Sequence, residues 1–336
     1  MLASVTIHGH IAHSYDQLSY ESYPFPETHP AHLYAIARFY GMEPARLENA
    51  RVLEIGCAGG GNIIPLALRT PGAEFLGIDL SAKQIAQGKA IIDRLGLANI
   101  ELKVLDLVNF EDSFGEFDYI IAHGVFSWIP QHTQDALLSL LGTRLRSQGV
   151  AYVSYNALPG WHMGQSLREL LRYHVGGDEN VRVCVAHARE ILELLSESLS
   201  LSPVASDMAK LEAVNKLLDM PDWYIFHEYL ALDNHPCLVS SFLQRAESHG
   251  LQYIADADLS ITSDDILEGD LKEKLSKYSS TRVQREQYID FFSNRLMRRS
   301  VLCRSAVELC QQPLADKIAE FWLASPARLL LSLIHI

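Results

Sequence analysis

Residues 51–63 read RVLEIGCAGGGNI. A short apolar run containing Glu54 gives way at once to Gly56, Gly59, Gly60 and Gly61, and then to a second apolar segment. A backbone that turns this sharply from strand into helix needs residues without a Cβ, for the angles and for close approach of a ligand. The helix that follows offers N–H groups and positive potential at its start. The pattern nearly spells the dinucleotide fingerprint G-x-G-x-x-G, but Ala58 stands at the second glycine. A methyl group there would crowd a pyrophosphate, which argues against a nicotinamide cofactor.

Working outward, AEFLGIDL (73–80), IELKVLDL (100–107), FDYIIAHG (117–124) and GVAYVSYN (149–156) are short runs rich in Val, Ile, Tyr and Phe. The segments after residues 62, 81 and 133 space apolar residues three and four apart, and Ser81 and Thr133 are placed to cap their helices. Such alternation predicts a parallel sheet covered on both faces, a doubly wound Rossmann-like α/β domain. HPAHLYAIARFYG (29–41) reads as a helix packed on that sheet. Beyond residue 165 the patterns are mostly helical, LQYIADA (251–257) being the one strand expected. NRLMRRS (294–300) reads as a small basic patch, the solvated end of a helix or else a substrate contact. The expected organisation is an N-terminal arm and helix over 1–44, a cofactor-binding domain over 45–164 and a mostly helical domain over 165–312. Residues 313–336 would then begin a truncated C-terminal region. Its last residues, ARLLLSLIHI, resemble an adapter-derived tail more than a native end.

The chain has 336 residues, 28 Lys plus Arg against 41 Asp plus Glu, and a formal charge of −13. The acids are dispersed, so the field opposes a phosphate backbone and no nucleic-acid partner is expected. Five cysteines without a C-x-x-C pair fit a reducing, cytoplasmic location and no disulfide framework. No stretch is long and apolar enough to predict a membrane span.

The loop chemistry suits S-adenosylmethionine, which carries no phosphate and tolerates the Ala58 methyl. Glu54, at the end of the first strand, can organise the loop or meet the methionine ammonium. Asp79, at the end of the second strand, can accept both ribose hydroxyls, or else cap the helix at Ser81. Asp106, after the third strand, can accept from the adenine amino group with Leu107 against the ring, or else cap its own loop. Three acids at three successive strand ends lie on the carboxyl edge, where such folds bind ligands.

VLEIGCAGGGN, GIDLS and VLDL together resemble class I S-adenosylmethionine-dependent methyltransferases over roughly residues 45–160. YDQLSYESYPFPETHPAHL (15–33), HGVFSWIP (123–130) and YNALPGWH (155–162) resemble those members that carry a methyltransferase regulatory domain. So do the segments at 226–257 and 285–295. That group includes bacterial protein lysine methyltransferases, whose members usually continue past residue 336. The departure is Ala58, where most members have glycine. The resemblance implies that Tyr15 and the segment after it fold over the cofactor, and that His123, Gly124 and Val125 lie beside the transferring methyl group. The expected cofactor set is therefore Tyr15, Glu54, Gly56, Cys57, Ala58, Gly60, Asn62, Asp79, Leu80, Asp106, Leu107 and His123.

Methyl transfer asks mainly for alignment and exclusion of water, and a lysine acceptor must also be held uncharged. Tyr155, Asn156 and His123 are the candidates to contact the acceptor, with Trp128 and Trp161 as walls around an alkyl chain. The Asp/Asn-Pro-Pro-Tyr run of enzymes that methylate planar amines is replaced by AHGV (122–125). HEYLA (227–231) begins like H-E-x-x-H but ends on Ala231, and HGH at 8–10 is the one close histidine pair, so no metal is expected. The reading is a methyltransferase acting on a protein side chain, lysine first. The alternatives are a small-molecule acceptor, with the helix at 238–250 as part of a lid, or a module that binds the cofactor without turnover.

Overall fold

The computed structural model describes residues 22–176, 180–261 and 270–321. Tyr15, the HGH pair at 8–10 and the tail 322–336 lie outside the described residues. All five expected strands form: β1 (Arg51–Ile55), β2 (Glu74–Asp79), β3 (Ile100–Val104), β4 (Phe117–Ala122) and β5 (Leu145–Asn156). They pair in parallel in the order β3-β2-β1-β4-β5. The chain passes from β1 outward to β2 and β3, then returns to the other side of β1 as β4. That reversal opens a crevice at the carboxyl ends of β1 and β4, where ligands bind in such sheets.

Two further strands, β6 (Leu251–Asp256) and β7 (Met297–Arg304), extend the sheet. β7 runs antiparallel between β5 and β6, completing seven strands. This corrects the expectation for 294–300: the Arg-rich segment is a sheet strand, not the solvated end of a helix. Arg298 is fully buried, and its guanidinium donates to Glu286 Oε2 at 2.7 Å and to Asp290 Oδ1 at 2.6 Å. The two partner carboxylates satisfy a charge that the interior would otherwise exclude.

The helices are α1 (Pro30–Phe39), α2 (Ile63–Arg69), α3 (Ala82–Leu95), α4 (Gln131–Arg144), α5 (Trp161–Val175), α6 (Val181–Ser200), α7 (Ala205–Leu218), α8 (Val239–Ser248), α9 (Leu271–Ser276) and α10 (Arg282–Ser293). Alternate strand residues feed two cores. Val52, Tyr119 and Ile121 pack with Leu33 and Ile36 of α1 on one face. Leu53 and Ile120 pack with Leu137 and Leu141 of α4 and Phe242 of α8 on the other. The helix expected as part of a lid, α8, thus lies in the core against the sheet. Ser81 caps α3, accepting from the Gln84 amide at 3.2 Å. Thr133 does not cap α4, which begins two residues earlier behind Pro130. Helices α5–α7 form a third cluster around Leu171, Leu192 and Leu217, closed by a π-helical turn, Ile225–Leu230. The whole is a Rossmann-like fold with a mostly helical C-terminal region. Among the described residues no helix is long and apolar enough to cross a membrane.

Candidate active site

The glycine turn is built as the sequence requires. Gly56 has φ +71°, and a Cβ there would meet Val125 Cγ2 at 2.5 Å, so the turn closes directly on the loop after β4. Ala58 also has a positive φ, 50°, a left-handed backbone that a side chain adopts only at a cost. Its amide donates to Asp79 Oδ2 at 2.9 Å, while Asp79 Oδ1 accepts from the Ser81 amide at 2.8 Å. Asp79 thereby ties the end of β2 to the turn after β1, the helix-capping alternative in part.

Glu54 is buried, and Oε1 accepts from Asn62 Nδ2 at 2.7 Å. Its Oε2 has no hydrogen-bond partner among the described residues. Burial pushes this carboxyl up to about 8, against which the Asn62 hydrogen bond works. Asn62 also reaches the N-terminal arm: its Oδ1 accepts from the Phe25 amide at 2.9 Å and its Nδ2 meets Thr28 Oγ1 at 3.0 Å. The Gly61 amide donates to Ser22 Oγ at 2.8 Å. The described part of the arm therefore lies across the turn, with the Phe25 ring stacked on His123, centroids 3.9 Å apart. His123 Nδ1 is 2.9 Å from the Tyr152 hydroxyl, and burial pushes the imidazole down to about 4, so it is neutral at pH 7.

These groups border a cavity of about 810 Å³. Glu54, Gly56, Cys57, Ala58, Asn62, Asp79, Leu80, Asp106, Leu107 and His123 all line it. Gly60 does not; its φ is +78° and Ile64 and Leu102 fill the space beside it, so it shapes the turn from behind. Asp106 accepts from the Val108 amide at 3.1 Å, which is also the loop-capping arrangement. Of the acceptor candidates, Asn156 lines the cavity and donates to Asn234 Oδ1 at 3.1 Å. Tyr155 lines it too, while its ring stacks on Phe242 at 4.1 Å and its hydroxyl sits 3.1 Å from Ser300 Oγ. Trp128 and Trp161 both line the cavity, edge to face with centroids 6.1 Å apart.

Among the lining residues that sequence reasoning missed are Phe25, Thr133 and Glu228. Phe25 lies in an arm whose part in the site depends on the Asn62 contacts. Thr133 Oγ1 is buried without a partner among the described residues, a consequence of the helix starting earlier than expected. Glu228 belongs to HEYLA, whose zinc pattern fails, and only the π-turn brings it to the cavity.

The cavity fits S-adenosylmethionine. The orphaned Glu54 oxygen suits an ammonium, and the carboxylates of Asp79 and Asp106 oppose a pyrophosphate. A methyltransferase-domain family profile matches residues 53–151, and one described as a predicted methyltransferase regulatory domain matches 221–304. The Rickettsia prowazekii protein RP028 is 34% identical over 236 residues, 70% of this chain and 94% of that protein. The chain belongs to the S-adenosylmethionine-dependent methyltransferases that carry a methyltransferase regulatory domain. RP789 of the same organism is 38% identical over 91% of this chain and 55% of its own length. PKMT2 from Rickettsia typhi in complex with AdoHcy superposes with TM-score 0.80 and 34% identity, covering 89% of this chain and 57% of that one. The chain thus spans a little over half the length of RP789 and of PKMT2.

Proposed function

We propose that the protein transfers a methyl group from S-adenosylmethionine to a lysine side chain of a protein acceptor. The observation that carries the reading is the cavity itself, which continues from the acidic donor end to walls of Trp128, Trp161 and Tyr229. The likeness to PKMT2, a protein lysine methyltransferase, over 89% of the chain supports the choice of acceptor. When bound, the cofactor supplies a methyl group on an electrophilic sulfonium. Glu54 would hold the ammonium, Asp79 the ribose hydroxyls, and Asp106 with Leu107 the adenine. Phe25 and His123 would exclude water from the reacting end, and neutral His123 adds no competing positive charge beside the sulfonium. We further propose a division of labour in which 45–164 hold the donor and supply the walls Trp128 and Trp161, and 165–312 close the acceptor end with the π-turn.

The test is incubation of the purified chain with labelled S-adenosylmethionine and candidate proteins, with peptide mass spectrometry to place the label. Methylated lysine supports the reading; label only on small amines or metabolites favours the small-molecule alternative. Absence of label on any acceptor, with the cofactor bound, contradicts it.

A further inference from the structure

We infer that Glu228 is the residue that receives the acceptor amine and takes its proton, an inference that rests on the lysine reading above. Three observations carry it. Glu228 stands in the middle of the π-helical turn Ile225–Leu230, and His227, Glu228 and Tyr229 in succession line the one cavity. Single π-turns inside helical segments recur at functional sites because they redirect side chains that a regular helix would turn away.

The turn is locked from behind by Arg168 of α5. Its buried guanidinium donates to the Glu228 carbonyl at 2.6 Å and to the Ala231 carbonyl at 2.7 Å, and stacks over Trp128 at 5.7 Å. Arg168 therefore spends its donors on backbone, and no hydrogen bond or ion pair within 4.0 Å engages the Glu228 carboxylate among the described residues. In the same cavity, Trp161 lies 6.1 Å from Trp128 and 6.1 Å from Tyr229, flat surfaces suited to an unbranched alkyl chain and to a cationic head. A carboxylate beside aromatic walls selects an alkylammonium and repels carboxylate or phosphate acceptors.

The charged and titratable groups about Arg168 and the turn are Arg172 of α5, Tyr229 within the turn and Asp233 after it, with His227 and with Glu212 and Lys216 of α7 on the same cavity. Burial raises Glu228 to about 7, and Arg168 opposes the rise. A group so placed can accept a proton near neutral pH. The step balances as follows. The lysine ammonium gives one proton to the Glu228 carboxylate, freeing its lone pair. That pair forms the N–C bond to the methyl carbon while the C–S bond breaks, its electron pair staying on sulfur. Glu228 then returns the proton to solvent.

The test uses the full chain with S-adenosylhomocysteine present and a short unstructured peptide bearing one lysine, its binding read by tryptophan fluorescence. Glu228→Gln is expected to weaken the peptide about tenfold or more, the scale of a lost charged hydrogen bond. Affinity for S-adenosylmethionine, read by calorimetry, should stay within about twofold, showing the fold and donor site intact. In turnover, kcat/KM of the native chain should rise with pH through about 7, the Gln variant should lose that limb, and Glu228→Asp should keep part of it. Unchanged peptide affinity and an unchanged pH profile in Glu228→Gln would overturn the inference while leaving the lysine reading intact. A native chain that binds the cofactor but methylates no lysine would overturn both.

Discussion

Glu54 is the residue whose chemistry is most constrained by its surroundings. Its folded-state pKa is raised to about 8 from the ordinary 4.5 by burial. Between those values the unfolded chain has given up a proton that the folded chain keeps. Stability therefore falls as pH rises from about 4.5 to about 8, and Glu54 contributes no slope outside that window. An ammonium seated against Oε2 favours the ionised form, so binding of S-adenosylmethionine near pH 7 should release about one proton. Calorimetry in buffers of different ionisation enthalpy reads this directly, and Glu54→Gln should abolish the release. Ala58 makes a second prediction. Its left-handed backbone costs roughly 1–2 kcal/mol for an L residue, and glycine's extra freedom when unfolded offsets about 0.5–1 of that. Ala58→Gly should thus leave stability unchanged or raise it by up to about 1.5 kcal/mol in urea unfolding. The three acids were legible in the sequence because each falls at the end of an apolar strand. Glu228 and Phe25 were not, because a π-turn and an arm held by Asn62 leave no periodic signal.

Among the elements, β7 depends on contacts far from it in sequence. A strand that buries Arg298 as its second residue is stable only because Glu286 and Asp290 of α10 meet the guanidinium, with Asp256 of β6 at 3.7 Å. Arg298→Met removes the cation and leaves buried carboxylates behind, a loss of about 3–5 kcal/mol expected in urea unfolding. A loss under 1 kcal/mol would mean that the carboxylates shed their charge at little cost. The same dependence explains why the segment reads as a solvated helix end from its sequence: two adjacent arginines signal exposure until their tertiary partners are known. By contrast β1, β2 and β4 are mostly apolar and buried, β4 at all six positions, and so announce themselves locally.

At the scale of the molecule, one sheet joins the two halves of the chain. The carboxyl half of β5 is paired with β7 from Ala151 to Asn156, and the same strand ends at the cavity. A chain ending at residue 250 would lose β6 and β7 and leave that edge and the Tyr152 and Val153 faces open. It is expected to lack a cooperative thermal transition by circular dichroism, whereas a chain of residues 22–321 should melt cooperatively. The doubly wound half, with its crevice at the switch point, follows from strand–helix alternation. The added antiparallel pair does not, since it requires knowing that residues 297–304 return to β5.

The central claim is that the crevice at β1 and β4 holds S-adenosylmethionine through acids at successive strand ends. Calorimetric titration of the cofactor into the chain, with Asp79→Ala as the variant and NADH as the competitor, tests it most directly. Saturable binding that weakens about tenfold or more in the variant, as loss of two hydroxyl contacts to a charged group requires, and that NADH does not displace, is the predicted result. Binding of NADH in place of S-adenosylmethionine, or cofactor affinity unchanged in Asp79→Ala, would contradict it.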